Sequence, residues 1–349
     1  MEIKELTELL AKLSNAHGIS GYESRVAKVI KEEIAGYVDE ISTDKMGNLV
    51  AVKKGDDFTI MLAAHMDEIG LMVQYVDEKG FIRFVAVGGW FNPVLVSQRV
   101  ILHGEKGDIP GVLGMKPPHV MSEADRKKPV ELADMFIDVG AKSPEEVEKL
   151  GISIGTPVTI DREFKPLAGT AVTGKALDNR AGCAMLIGAL KEMKTTHTVV
   201  AVFTVQEEVG LKGAKTASFH VNPDIAIATD VTIPGDSPGI ERRKAPVFMG
   251  EGPVVVMVSA SGRGHLADPR IVDWLKKTAK KNDIKIQIEV GDGGNTDASA
   301  INFERGGIPS VPVSVPARYI HSPVEVIDML DLQEAVRLLA KAVETKPKL

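Results

Sequence analysis

The chain has 349 residues, 44% hydrophobic and 26% charged, the make-up of an ordinary globular protein long enough for two domains. A formal net charge of -6 excludes the basic footprint of a nucleic-acid binder, and no run of about 18 apolar residues is present to cross a membrane. The single cysteine, Cys183, excludes an internal disulfide and a thiolate metal cluster, and it fits a reducing, cytoplasmic setting together with the charged start Met1-Glu2-Ile3-Lys4-Glu5.

Leu6, Leu9, Leu10 and Leu13 recur at helical spacing and open the chain with an amphipathic helix. Ser20-Gly21-Tyr22-Glu23 has the form of a capping box, which makes Ser20 the N-cap of a second helix. Strands are predicted over residues 48–52 and 59–64, the second leading into His65. After His65 the pattern changes. Short β-like runs over 71–76, 81–87, 99–103 and 157–160 are separated by Gly and Pro, with one helix opening at Ser143-Pro144 and capped through Glu146. The charged run 122–128 reads as an exposed loop.

Beyond about Leu167, apolar strands alternate with helices again. Helices are predicted over 181–193, 271–281 and from Val326 onward, and strands over 199–205, 224–229, 254–258 and 284–290. Near-continuous apolar strands between helices predict a sheet covered on both faces. The expected fold is α/β: a three-layer α/β/α domain built from residues 1–67 and 165–349, interrupted by a β-rich, barrel-like or PDZ-like domain over 68–164.

Five short motifs stand at strand ends or in nearby loops, where open α/β sheets bind ligands. They are Ala64-His65-Met66-Asp67, Leu177-Asp178-Asn179-Arg180, Gln206-Glu207-Glu208-Val209-Gly210, Thr229-Asp230 and Ile320-His321-Ser322. Each alone has a bland reading, since Asp-Asn makes turns and paired glutamates are usually solvated. Together they offer His, Asp, Glu, Asp and His, a hard-to-borderline donor set suited to zinc, cobalt or manganese.

In that order these motifs resemble the co-catalytic metallopeptidases with two zinc ions, most closely the tetrahedral (TET) aminopeptidases and their glutamyl-aminopeptidase relatives. Ser20-Gly21-Tyr22-Glu23, Gly293-Gly294-Asn295-Thr296-Asp297-Ala298 and Arg318-Tyr319-Ile320-His321-Ser322 strengthen the likeness, which covers essentially the whole chain. Asn295 departs from it, standing where a third glycine is common. The resemblance implies two divalent ions, zinc or cobalt. His65 and Asp230 would hold one, Glu208 and His321 the other, with Asp178 bridging. Asp67 would orient His65, and Glu207 would act as general base on a metal-bridging water. The implied activity is removal of N-terminal residues from short peptides, inside a homododecamer built from dimers through the inserted domain.

Thr296 and Asp297 follow a glycine pair, and the resemblance places them near the substrate's first residue; a helix N-cap is the plain alternative. His119, in the insertion, is a further candidate for the active site or an interface, while His265 reads as part of a flexible turn. Gly151-Ile152-Ser153-Ile154-Gly155 matches a nucleophile elbow only in letters, since a helix precedes it and a strand follows. Cys183 sits in a predicted helix among small apolar neighbours, as a packing residue does. Two rivals stand beside the aminopeptidase: a deacylase of the same metal superfamily, and a non-catalytic peptide-binding assembly protein. The motifs do not fix the preferred N-terminal residue, and an apolar one is the default expectation.

Overall fold

A computed structural model describes residues 1–349. At its centre four strands run parallel: His197–Thr204, Asp56–His65, Ile225–Thr232 and Ser310–Arg318. Their C-terminal ends therefore share one edge of the sheet. Leu49–Lys53 pairs antiparallel outside His197–Thr204, and Glu325–Asp328 with Ala171–Gly174 continues the sheet beyond Ser310–Arg318.

Alternation along the strands decides what packs where. Ile60, Leu62 and Ala64 face the large cluster built with helices Ile3–Asn15, Ser24–Ile34, Leu177–Glu192, Pro269–Lys281 and Met329–Ala342. Met61 and Ala63 face a smaller cluster under helices Lys212–Val221 and Asp297–Ile301. The sheet is thus covered on both faces, as its apolar strands require. Leu6, Leu10 and Leu13 of the first helix are fully buried, each worth roughly 1.5–3 kcal/mol.

Between the strand that ends at His65 and the one that begins at Ala171 lies a closed antiparallel barrel. It is formed by Gly70–Val76, Ile82–Val87, Met135–Asp138, Gly107–Met115, Arg99–Gly104 and Pro157–Ile160, with its own apolar core.

Several expectations change. Ser20 caps no helix: the second helix starts at Ser24 after Glu23, and the Ser20 hydroxyl is engaged elsewhere, as described below. Residues 123–126 form one helical turn, capped by Ser122 and Asp125, where a loop was expected. Glu146 does not close the box on Ser143; its carboxylate accepts from Lys142 N one residue earlier (2.9 Å). The last helix begins at Met329, because Val326 and Ile327 are drawn into the sheet. Pro312 and Pro316 concealed the central strand Ser310–Arg318. Both lie outside the short ladder, Val313 and Ser314 alone, that it makes with Val254–Ser259. His265 is not on a flexible turn but buried, its Nε2 3.1 Å from the Ser310 carbonyl.

Candidate active site

The five predicted donors meet at the C-terminal edge of the parallel strands. His65 is the last residue of its strand and Asp230 lies near the end of its own. Glu207 and Glu208 follow strand His197–Thr204 through Gln206, whose φ of 56° turns the chain sharply. Asp178 stands in the first turn of helix Leu177–Glu192, and His321 follows strand Ser310–Arg318 with φ of 60°. Positive φ in non-glycine residues is uncommon and tends to mark functional turns.

The distances give the cluster a two-sided form. Asp178 Oδ1 lies 3.2 Å from His65 Nε2, while its Oδ2 lies 3.5 Å from His321 Nε2. On the His65 side, Glu207 Oε2 and Asp230 Oδ1 are each 3.9 Å from Nε2. On the other, Glu208 Oε2 is 3.3 Å from His321 Nε2. Donor atoms of His65, Glu207 and Asp230 lie within 4.8 Å of one another, and so do those of His65, Asp178 and Glu208.

A framework of backbone amides and carbonyls holds these side chains. His65 Nδ1 sits 3.1 Å from the Asp67 carbonyl and 3.5 Å from its carboxylate, so Nε2 is the nitrogen turned to the acids. The Asp67 carboxylate also accepts from Glu207 N (3.0 Å), Glu208 N (3.2 Å) and the Ser20 hydroxyl (2.6 Å). Glu325 plays the same part across the site, accepting from Asp178 N (2.9 Å) and His321 N (3.0 Å). Arg180, fully buried, donates to the Met66, Leu13 and Ala16 carbonyls and ties the first helix to the chain after His65. Cys183 donates to the His65 carbonyl, and burial pushes its thiol up to about 12, so it is inert packing.

Crowding sets the electrostatics. Burial raises Glu207 well above the usual carboxyl range; Asp230, Asp297 and Glu208 add to that, and His65 opposes it. Asp230 is likewise held well up, by burial and Asp178. Burial alone would lower His65, but Glu207, Asp178, Asp67 and Asp230 outweigh it and hold it well above its usual value. Asp67 runs the other way, kept low by His65, Ser20 and the Glu207 amide despite its burial.

Buried acids massed around two imidazoles are a donor set that divalent cations fit, because each cation neutralises charge that protons otherwise must. The groups placed to hold a cation are His65, Glu207 and Asp230 on one side and His65, Asp178 and Glu208 on the other, with His321 beside the second. Glu207 approaches the His65 side as closely as Asp230 does.

The cluster opens into a cavity of about 860 Å³. One wall comes from the loop 291–296, where Thr296 both lines the cavity and caps helix Asp297–Ile301 through Ala298 N (3.3 Å). Asp297 lies behind that wall, buried. Its Oδ2 accepts from the Thr204 hydroxyl (2.5 Å), Oδ1 has no partner, and burial raises it to about 6. His119 is exposed on a barrel excursion, in the turn Pro118–Val120, and the cavity lining does not include it. The barrel touches the site elsewhere: a side chain at Gly89 would stand 3.1 Å from His321 Nδ1.

Sequence reading missed Glu325, the role of Arg180 and the true partner of Ser20. Glu325 follows His321 by four residues in His321-Ser322-Pro323-Val324-Glu325, where a turn brings a carboxylate back onto the preceding amides. That spacing was the available signal.

Acids pressed together by such a framework beside paired histidines are a candidate metal site, and comparison with known proteins gives the class. The chain belongs to the M42 glutamyl aminopeptidase family, whose sequence model matches residues 47–338, and is thereby an aminopeptidase, a hydrolase of peptide bonds. A relative from Acetivibrio thermocellus, placed among the aminopeptidases, is 44% identical over 98% of this chain and 100% of its own. An aminopeptidase of the archaeon Desulfurococcus kamchatkensis superposes with a TM-score of 0.95 at 40% identity, over 99% of this chain and 96% of that one. The TET1 peptidase of Pyrococcus horikoshii, which can assemble into a tetrahedron or a large octahedral shell, gives 0.88 at 36% identity over 98% and 99%. Both the family and the α/β-plus-barrel architecture expected from the sequence are therefore found.

Proposed function

We propose that the chain is a dinuclear metallo-aminopeptidase that releases N-terminal residues from short peptides. The observation that carries this is Asp178, whose two oxygens face two different histidines, as a bridging carboxylate requires. His65 and Asp230 would hold one ion and Glu208 and His321 the other, with zinc or cobalt suited to this donor set. When bound, the two ions supply Lewis acidity, lowering the pKa of water and polarising the scissile carbonyl.

The chain's own residues do the rest. Glu207 takes a proton at Oε2 from the attacking water and returns it to the departing amine. Its place at the His65 side of the cluster, with its main chain held by Asp67, suits both halves of that task. Asp67 fixes the Glu207 main chain and the His65 ring together, so base and ligand keep one mutual geometry. The cavity is of a size that admits a few residues of extended peptide.

The same reading divides the chain into a peptidase unit, 1–67 with 165–349, and an insert, 68–164, that makes dimer contacts within a tetrahedral homododecamer in the cytoplasm. Phe91, Val120 and Ile154, all exposed on the insert, are apolar surface for such contacts.

The test is hydrolysis of aminoacyl p-nitroanilides and their N-acetylated counterparts after chelation and metal add-back. Metal-dependent cleavage of free-amine substrates alone is expected. Cleavage of the acetylated set would establish a deacylase or endopeptidase instead, and silence on every substrate would leave a binding or assembly protein.

A further inference from the structure

The wall of the cavity away from the metal cluster is built by a curled wing of the sheet. Strands Val254–Ser259 and Gln287–Val290 pair with each other and join the central strands only at Val254 and Val255. The wing bends over the end of Ile225–Thr232, so that the Thr232 hydroxyl donates to Glu289 Oε2 (2.7 Å). Glu289 lines the cavity and is 9% exposed. Its other oxygen, Oε1, accepts nothing and lies beside Gly291, where an added Cβ would stand 3.2 Å from it. Glycine leaves that oxygen open to the cavity.

The surroundings favour a cation on a long apolar stem. Leu211, Ile233, Ile240, Val256 and Val258 supply apolar wall along which methylenes pack. Two buried hydroxyls of the lining, Ser259 and Ser314, have no hydrogen-bond partner and keep acceptor capacity beside the cavity. Lys244 and Asp292 of the lining are both exposed, so their opposite charges are solvated, and Glu289 is the buried charge of this wall. Thr232 stands two residues beyond Asp230, roughly 7 Å along the strand. The four-carbon stem of a lysine covers such a span.

We propose that Glu289 is the specificity residue of this peptidase and that its preferred substrates begin with lysine or arginine. The proposal rests on the aminopeptidase reading above and names its substrate class, in place of the apolar default. A basic side chain finds an open carboxylate oxygen at the end of an apolar channel. An apolar side chain leaves that buried acid unpaired, and an acidic one is repelled by it.

The test is kcat/KM of the metal-loaded enzyme for Lys, Arg, Leu and Glu p-nitroanilides, in the wild type and in Glu289→Gln and Glu289→Lys. The wild type is expected to favour Lys and Arg over Leu by about 10- to 100-fold, the range for a hydrogen bond to a charged group, with Glu slowest. Glu289→Gln should lower the Lys-to-Leu ratio by a similar factor, and Glu289→Lys should move the preference to Glu. A wild type that favours Leu or Glu, or a ratio unchanged in Glu289→Gln, overturns the proposal while leaving the aminopeptidase intact. Because the wild-type panel decides by itself, the proposal stays falsifiable even where a variant fails to fold. Hydrolysis of none of the substrates would overturn both readings.

Discussion

The barrel and the sheet bury very different things. Among the barrel strands from Gly70 to Ile160, only Thr156 and Thr159 are buried polar residues, and everything else inside is apolar. Around the C-terminal edge of the sheet, by contrast, His65, Asp67, Glu68, Asn179, Arg180, Asp230, Asp297 and Glu325 are all buried. Buried charge is expensive unless paired, so its concentration in one place points to function rather than stability. The barrel is the ordinary solution to folding, and the sheet edge is where the fold carries unfavourable charge for chemistry.

Substitutions in the two regions should therefore behave differently. The largest effect belongs to Glu207→Gln, which should lower kcat by about 100- to 10,000-fold while bound metal, counted per chain, stays unchanged. Near-normal turnover in that variant would remove Glu207 from the proton path. Next comes Ser20→Ala. Loss of its bond to Asp67 should weaken metal affinity or activity by about 10- to 100-fold, as for other groups that orient a ligand from behind. A mere helix cap in that position would instead cost about 1 kcal/mol of stability and leave metal affinity alone, which chelator competition distinguishes.

A pH series on the chelated chain sharpens the contrast. Glu207, Asp230 and His65 are all held above their usual values in the fold, so near neutral pH the folded chain binds more protons than the unfolded one. Their contribution is present at low pH and is lost as pH rises through the folded values. The metal-free melting temperature should be lower at pH 8 than at pH 6, and metal should abolish the difference. A melting temperature that rises over that interval would mean the acids are not crowded in the metal-free chain. The smallest effect lies at the seam between the regions, where Arg25 grips Asp108 of the barrel through two 2.7 Å bonds. Both side chains are more than a third exposed, so Arg25→Ala should cost at most about 1 kcal/mol in denaturant and leave kcat unchanged. A loss of several kcal/mol would make the seam integral to the fold.

The same contrast explains what the sequence disclosed. The unbroken apolar run from Ile60 to Ala64, and the donors that follow such runs, were legible because strand ends carry both pattern and chemistry in adjacent residues. Barrel strands such as Gly107–Met115, with Gly, Pro and Asp among few apolar residues, left no readable period. Ser20 was misread because Ser-x-x-Glu has a local meaning, whereas its partner Asp67 lies 47 residues away. Glu325 escaped notice because its role is to accept from two backbone amides, and the four-residue spacing back to His321 was the one sign of it.

The central claim is that the sheet edge holds two ions around Asp178 and that turnover needs both. The direct measurement is to strip the purified chain with chelator, titrate it with zinc or cobalt, and follow bound metal per chain alongside hydrolysis of a free-amine aminoacyl p-nitroanilide. Activity should reach its plateau at two ions per chain and should not return in Asp178→Asn. Full activity at one ion, without metal, or in that variant would contradict the account.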